Sequence, residues 1–405
     1  MNKLLLFRYT VILFVIVETF SIFHGYVFNR VAFPMIFMSG ISVIFYPKAF
    51  LDKQSFFLVL YFAIFCLFAY LGHTLADMGW ATNEFLAPLS CLSIINVFLY
   101  NRDFYGLKMV TVTGLVIIVV NSLFTIPIAI NDPNAVRMMV DYTVGGNIDS
   151  MQFYQKLGIA SYGLVHAVPF LYPLLIYHLK TGGKKLYRLC YLVAIVVSYY
   201  MLTKASFGTA LILSTFGILC AILLSENKKR ILVLVIILPF FLFLFFSDGL
   251  LVSGLNTIKP MFEGTEIEPK INDIVSSIEY GGAEGQIGGR RDLYNMSWNT
   301  FFRSPLLGSL DKKQAGGHAY IPDRLAYFGL IGTIPLIMFF YFTFKKHYFL
   351  IERRKRIYYL TSLLLFVLLG FCKNISGIEN FLYLFVFLPG LCLMEEIPGN
   401  QNQLK

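Results

Sequence analysis

The sequence predicts an all-α polytopic membrane protein of about 12 transmembrane helices with one long extracytoplasmic loop, residues 1–405 forming a single membrane domain. Three observations predict it. Of the 405 residues, 57% are apolar and only 14% charged, whereas an ordinary soluble domain carries about 25% charged residues. The apolar residues fall in runs approaching the ~20 needed to cross ~30 Å of hydrocarbon. The basic residues, finally, gather in the short turns of one side.

Taken in order, the runs cover 5–24, 31–47, 55–72, 84–100, 108–130, 158–179, 187–203, 206–225, 231–247, 326–344, 357–372 and 379–395. The first begins like a signal peptide, but no small-x-small cleavage site follows it, so it reads as a span. The seventh and eighth are parted only by the residues around Lys204. With the N-terminus in the cytoplasm, the segments PKAFLDK, NRDFYGLK, KTGGKKLYR, ENKKR and KKHYFLIERRKR, together with the two ends, hold 20 of the 33 basic residues on that side. The short loops opposite hold Arg30, Arg137, Lys156, Lys204 and Lys373. Both termini are therefore expected in the cytoplasm.

The same distribution assigns the net charge of +10 to topology and anionic lipid rather than to nucleic acid. The six cysteines stand singly in apolar runs, without the spacing of a metal site or a disulfide framework. No nucleotide-binding, zinc or serine-hydrolase motif is present. No metal or cofactor is expected.

Two outer loops stand out, 131–157 and 248–325. The longer divides by charge: 248–284 has seven acids and two bases, and 285–325 has six bases and three acids. The stretch 285–329, GQIGGRRDLYNMSWNTFFRSPLLGSLDKKQAGGHAYIPDRLAYFG, concentrates charge, glycine and a histidine in an otherwise apolar chain. Weak helical patterns occur over 269–280 and 291–303.

Arginine grips phosphate well because its planar fork donates several hydrogen bonds and stays charged. Arg290 and Arg291 follow Gly288-Gly289, a pairing that lets backbone approach an anion. Taken alone they read first as contacts to lipid headgroups or to the loop's acids. His318 follows Gly316-Gly317 at the mouth of a span, and an imidazole can accept a hydroxyl proton near neutral pH. Arg324 reads as a phosphate contact, and Asp323 either as a helix-start charge or as the group that orients His318. Arg137 is either another anion contact or the partner of Asp141 four residues on. Lys204 is a candidate if it lies inside the bilayer and a turn residue otherwise. The other histidines read as structural, and among them His166, within a span, has the strongest claim to a further role.

The order of these parts resembles the bacterial Wzy-type polysaccharide polymerases and the related O-antigen ligases. The residues that carry the likeness are Leu202-Thr203 and Ser206 opening a span, then Gly289, Arg291, Leu293-Tyr294, Trp298, Phe301, Ser304-Pro305-Leu306 and Gly308, then Gly316-Gly317-His318, Asp323 and Gly329–Gly332. These segments, 202–208, 289–308 and 316–332, form around a quarter of the chain.

The resemblance implies a membrane-embedded GT-C type glycosyltransferase using an undecaprenyl-pyrophosphate-linked oligosaccharide at the outer face of the bacterial plasma membrane. Arg291 would bind the pyrophosphate, and His318 would act as base or orient the acceptor, with Arg290, Arg324, Arg137, Lys204 and Asp323 in support. Where the family often has Ser-Arg, this chain has Ser206-Phe207, with Lys204 two residues earlier. Membrane lipid, a chain-length regulator and a flippase are the implied partners. An O-antigen ligase acting on lipid A–core is the alternative within the class. From another class, a lipid-linked oligosaccharide flippase or transporter would place charges along its spans, and these spans read as nearly charge-free.

Overall fold

The computed structural model describes residues 3–26, 32–72, 75–132, 135–138, 148–182, 185–205, 207–223 and 286–394, with isolated positions between 256 and 275. All regular structure among them is helical. The chain forms two compact units, Met1–Ile222 with Gly332–Lys405, and Leu223–Ile331.

In the first unit the helices are α1 (Lys3–Thr19), α2 (Ser21–Tyr26), α3 (Ala32–Phe45), α4 (Lys53–Leu71), α5 (Leu75–Tyr100), α6 (Phe104–Asn131), α7 (Ala135–Met138), α8 (Ile148–Lys156), α9 (Tyr162–Ala167), α10 (Tyr172–Thr181), α11 (Lys185–Lys204) and α12 (Gly208–Leu223). The second unit contains α13 (Gln286–Arg303). The next helix, α14 (Tyr320–Leu350), starts in the second unit and ends in the first. After it come α15 (Arg353–Cys372), α16 (Ile378–Leu382), a π-helical segment Tyr383–Phe387 and α17 (Leu388–Leu393).

Among the described residues, five helices are long and apolar enough to cross a membrane: Lys53–Leu71, Phe104–Asn131, Lys185–Lys204, Tyr320–Leu350 and Arg353–Cys372. A sixth candidate is the pair Tyr162–Phe170 and Tyr172–Thr181, bent by 47°. Shorter apolar helices occupy Ala32–Phe45, Glu84–Tyr100, Gly208–Leu223 and Ile378–Leu393. The run 231–247 lies outside the described residues.

The side chains support a lipid surround. On α4, Leu58, Tyr61, Phe65 and Phe68 are buried, while Phe56, Val59, Leu67 and Tyr70 face outward. A surface helix in water would turn polar residues outward. Here both faces are apolar, as hydrocarbon on the outer side requires.

Starts of helices are fixed by side-chain caps, which satisfy N–H groups that have no partner in the first turn. Asp52 accepts from the Ser55 N–H at 3.0 Å and Ser161 from that of Leu164 at 3.0 Å. Asp103 accepts from the Gly106 N–H at 2.9 Å and also receives the Arg8 fork, Nε at 2.7 Å and Nη2 at 2.6 Å.

The break expected around Lys204 is present: α11 ends at that residue and α12 begins at Gly208. The pattern read over 291–303 is a helix that starts earlier, at Gln286. Gly288-Gly289 is therefore helical rather than an open loop. The pattern read over 269–280 falls largely outside the described residues.

Candidate functional site

The candidate site is built on α13 and the segment that follows it. Along α13, Leu293, Ser297 and Thr300 recur at spacings of four and three, which sets them on one face. The chain between α13 and α14 is laced to that face. Thr300 Oγ1 donates to the Gln314 carbonyl at 2.8 Å, and the Gly316 N–H donates to Ser297 Oγ at 2.8 Å. Ser297 Oγ in turn donates to Oδ1 of Asp323 at 2.6 Å.

The second carboxylate oxygen of Asp323 accepts from the Ala319 N–H at 2.9 Å. Ala319 immediately precedes α14, so this bond caps the helix in the reach-back manner of a capping box. Pro322 falls in the same first turn, where its missing N–H costs no helical bond. Asp323 is thus buried and committed to backbone and to Ser297. Of its two expected roles, it performs the helix-start role, and it also fixes the backbone next to His318. His318 itself stands exposed on a bend between Gly317 and Ala319.

A second joint holds the far end of this segment. α14 breaks at Gly329, whose φ of 59° and ψ of −163° leave the helical region. The broken helix bonds are replaced by the chain 305–310. Ser309 and Leu310 N–H donate to the carbonyls of Ala326 at 2.8 Å and Tyr327 at 3.2 Å. Pro305 and Leu306 carbonyls accept from Leu330 at 2.8 Å and Ile331 at 3.0 Å. A Cβ at Gly329 would collide with the Leu306 backbone, and one at Gly308 with the Tyr327 carbonyl. These two motif glycines serve a backbone joint.

The other candidates are placed as follows. Arg290 and Arg291 lie in the N-terminal part of α13; their side chains lie outside the described residues. Arg324 is fully buried, its guanidinium 3.7 Å from the Tyr320 ring centroid, with Nη1 donating to the Tyr320 carbonyl at 3.2 Å. It is not offered to solvent.

Lys204, in the first unit, is half-buried with its ammonium 5.6 Å from the Tyr200 ring. Arg137 lies on α7, and its side chain and Asp141 fall outside the described residues. His318, Asp323, Arg324 and the backbone of Arg290 and Arg291 thus belong to one unit, and Arg137 and Lys204 to the other.

No protein-family model matches the chain, and no curated protein matches it.

Phe207, which stands where the resembled family often has arginine, is buried with its ring 5.5 Å from that of Tyr162 and 5.3 Å from that of His166. His166 is buried, and its Nδ1 donates to the Tyr162 carbonyl at 2.9 Å. His178 is likewise buried, its Nε2 2.8 Å from the Leu391 carbonyl oxygen.

Sequence reading missed Ser297, which the helical spacing with Leu293 would have set on the packed face. It also passed over three buried acids, Glu18 at 1% exposure, Glu84 at 2% and Glu379 at 9%. The expectation of nearly charge-free spans therefore does not hold at those ends. A glutamate flanked by apolar residues was the available signal. Among the described residues no cluster of His, Cys, Asp and Glu suits a metal ion.

Proposed function

We propose that this chain is a Wzy-type polysaccharide polymerase, transferring a growing O-antigen or capsule glycan from undecaprenyl pyrophosphate to a carrier-linked repeat unit. The observation that carries the reading is the lacing of the His318 segment onto α13, the helix whose N-terminal part contains Arg290 and Arg291. The exposed His318 and the backbone of Arg290 and Arg291 then belong to one compact unit. Two adjacent guanidiniums offer the charge and the forked hydrogen-bond donors that a pyrophosphate accepts.

In this reaction an acceptor sugar hydroxyl attacks the anomeric carbon, and the bond from that carbon to the pyrophosphate oxygen breaks. The leaving group already carries the activation. The protein's part is to hold its charge with Arg290 and Arg291 and to accept the hydroxyl proton at His318, a contribution of roughly 10²–10⁴ in rate. The reading takes the chain as twelve spans of a bacterial inner-membrane protein, both termini cytoplasmic and the 248–325 loop outside. A chain-length regulator and a flippase would work beside it.

The test is Arg291→Ala and His318→Ala in cells, with surface glycan resolved on a gel. Single repeat units without a ladder are expected. An unchanged ladder in both variants rejects the assignment. Long chains that remain on the carrier would indicate the ligase instead.

A second reading, a lipid-linked oligosaccharide transporter, gains from the buried acids Glu18 and Glu379. It requires repeat units to accumulate on the cytoplasmic face in the same experiment.

A further inference from the structure

Just after α13 the chain reverses through a tight turn, 304–308, of sequence Ser-Pro-Leu-Leu-Gly. The Gly308 N–H closes it by donating to the Ser304 carbonyl at 2.9 Å. Turns in water are dominated by glycine, proline, asparagine, aspartate and serine. The tip of this one carries two leucines turned outward, Leu306 at 60% exposure and Leu307 at 52%.

The apolar surface extends to both sides of the turn. Phe302, in the last turn of α13, is 69% exposed. It stacks on half-buried Trp298 one helical turn back, the ring centroids 5.9 Å apart. Phe301 completes the cluster, its ring 6.2 Å from Trp298 and 5.5 Å from Phe302. On the other side, the Leu330 and Ile331 N–H groups donate to the Pro305 and Leu306 carbonyls at 2.8 and 3.0 Å. Both of these side chains are exposed as well. Outward apolar side chains from α13, the turn and α14 are thus gathered at one backbone joint.

An exposed apolar patch marks a protein partner or a membrane. Its place in the chain favours the membrane. Leu330 and Ile331 belong to α14, a helix long and apolar enough to cross a bilayer. Ile334 and Ile337, which follow Ile331 at spacings of three, are exposed in turn. The turn is therefore hydrogen-bonded to α14 where the outward apolar stripe of that helix begins. Tryptophan concentrates at membrane–water interfaces, and exposed Arg303, next to Phe302, can extend its charge to lipid phosphate along an apolar stem. Irregular backbone meets lipid only where its polar groups are satisfied. Here the carbonyls of Ser304, Pro305 and Leu306 each accept an N–H, and Pro305 has none of its own to place.

We propose that the 302–307 segment is a membrane anchor. Phe302, Leu306 and Leu307, flanked by Trp298, Leu330 and Ile331, sit at the boundary between lipid headgroups and acyl chains. The stretch read from the sequence as outer loop is embedded at this point rather than suspended in water. Gly316 is bonded to Ser297, about 7–8 Å along the helix from Phe302, so the anchor keeps the His318 segment at the membrane surface. The proposal rests on α14 crossing the bilayer and is independent of the polymerase reading.

The test reads Trp298 fluorescence in the full chain reconstituted into phosphatidylcholine vesicles. Trp80 is the other tryptophan, so the signal is taken as the difference between the chain and its Trp298→Phe variant. In lipid whose acyl chains are brominated near the headgroup, an indole sunk about 5–10 Å into the boundary should lose roughly half of its emission. Phe302→Ser, Leu306→Ser and Leu307→Ser combined should cut that quenching and open the indole to aqueous acrylamide. These side chains are exposed, so the triple variant should unfold at the wild-type temperature. Equal wild-type emission in brominated and plain lipid overturns the proposal, whatever the variant does. With acrylamide quenching, that result puts the segment in water; without it, a second copy or another protein covers the patch. Stronger quenching by chains brominated near their tails also overturns it, since the segment would then lie in the hydrocarbon core.

Discussion

Ser297 Oγ donates to Asp323 Oδ1 at 2.6 Å while accepting from the Gly316 N–H, so one hydroxyl joins α13, the start of α14 and the segment bearing His318. Ser297→Ala leaves a buried carboxylate oxygen and a backbone N–H without this partner. Such a loss costs roughly 1–3 kcal/mol, to be read as a lower unfolding temperature in nanodiscs. Under the proposed function the glycan ladder should also weaken. Ser297→Thr keeps the hydroxyl and should restore most of both. Asp323→Asn retains a carbonyl acceptor for only one of the two donors and should fall between.

Gly329→Ala tests the broken helix. Its backbone lies in a region that only glycine occupies readily, a cost of order 1–3 kcal/mol for another residue. The added methyl would also strike the Leu306 backbone. The expected outcome is poor accumulation of folded protein, measured by fluorescence-detected size exclusion. Leu330→Ala, one position along and exposed, should accumulate normally.

The Arg8–Asp103 fork ties α1 to the start of α6, with the Asp103 side chain at 2% exposure. Asp103→Ala removes two charged hydrogen bonds and a helix cap together, and roughly 1–3 kcal/mol of stability should go with them. Arg8→Lys keeps the charge but not the two-pronged geometry, so its loss should be smaller. Thermal unfolding of the two variants against wild type decides the order.

On α8 the Tyr154 hydroxyl donates to Asp132 Oδ2 at 2.5 Å. The bond to Asp132, aided by burial, pushes the phenol up to about 12, against an ordinary value of about 10. The sign follows: the phenol is bonded in its neutral form, so this stabilisation is complete below about pH 10. It is lost as pH rises towards 12. A tyrosinate absorbance titration of wild type minus Tyr154→Phe should show one late-titrating phenol. A midpoint near 10 would remove the bond from the account.

Much of the helix map was legible in the sequence because hydrocarbon demands long apolar runs, and their ends carry turn residues such as Lys204 that hydropathy exposes. The runs 55–72, 108–130, 187–203 and 357–372 each coincide with a long apolar helix. The start of α13 was not legible: apolar spacing marks a helix only over 291–303, while the helix extends back through Gly288-Gly289 to Gln286. Asp323 could be read only as an alternative between two roles, since which atoms its carboxylate meets depends on a residue 26 positions away.

By itself, the sequence determined that this chain is a helical membrane protein with its polar chemistry gathered in 285–329, because composition and run length decide solvent preference residue by residue. Only the tertiary structure decided that Gly308 and Gly329 form a backbone joint and that Arg324 is buried on Tyr320. Those outcomes rest on contacts between residues distant in the chain. Hydropathy and local spacing carry no information about them.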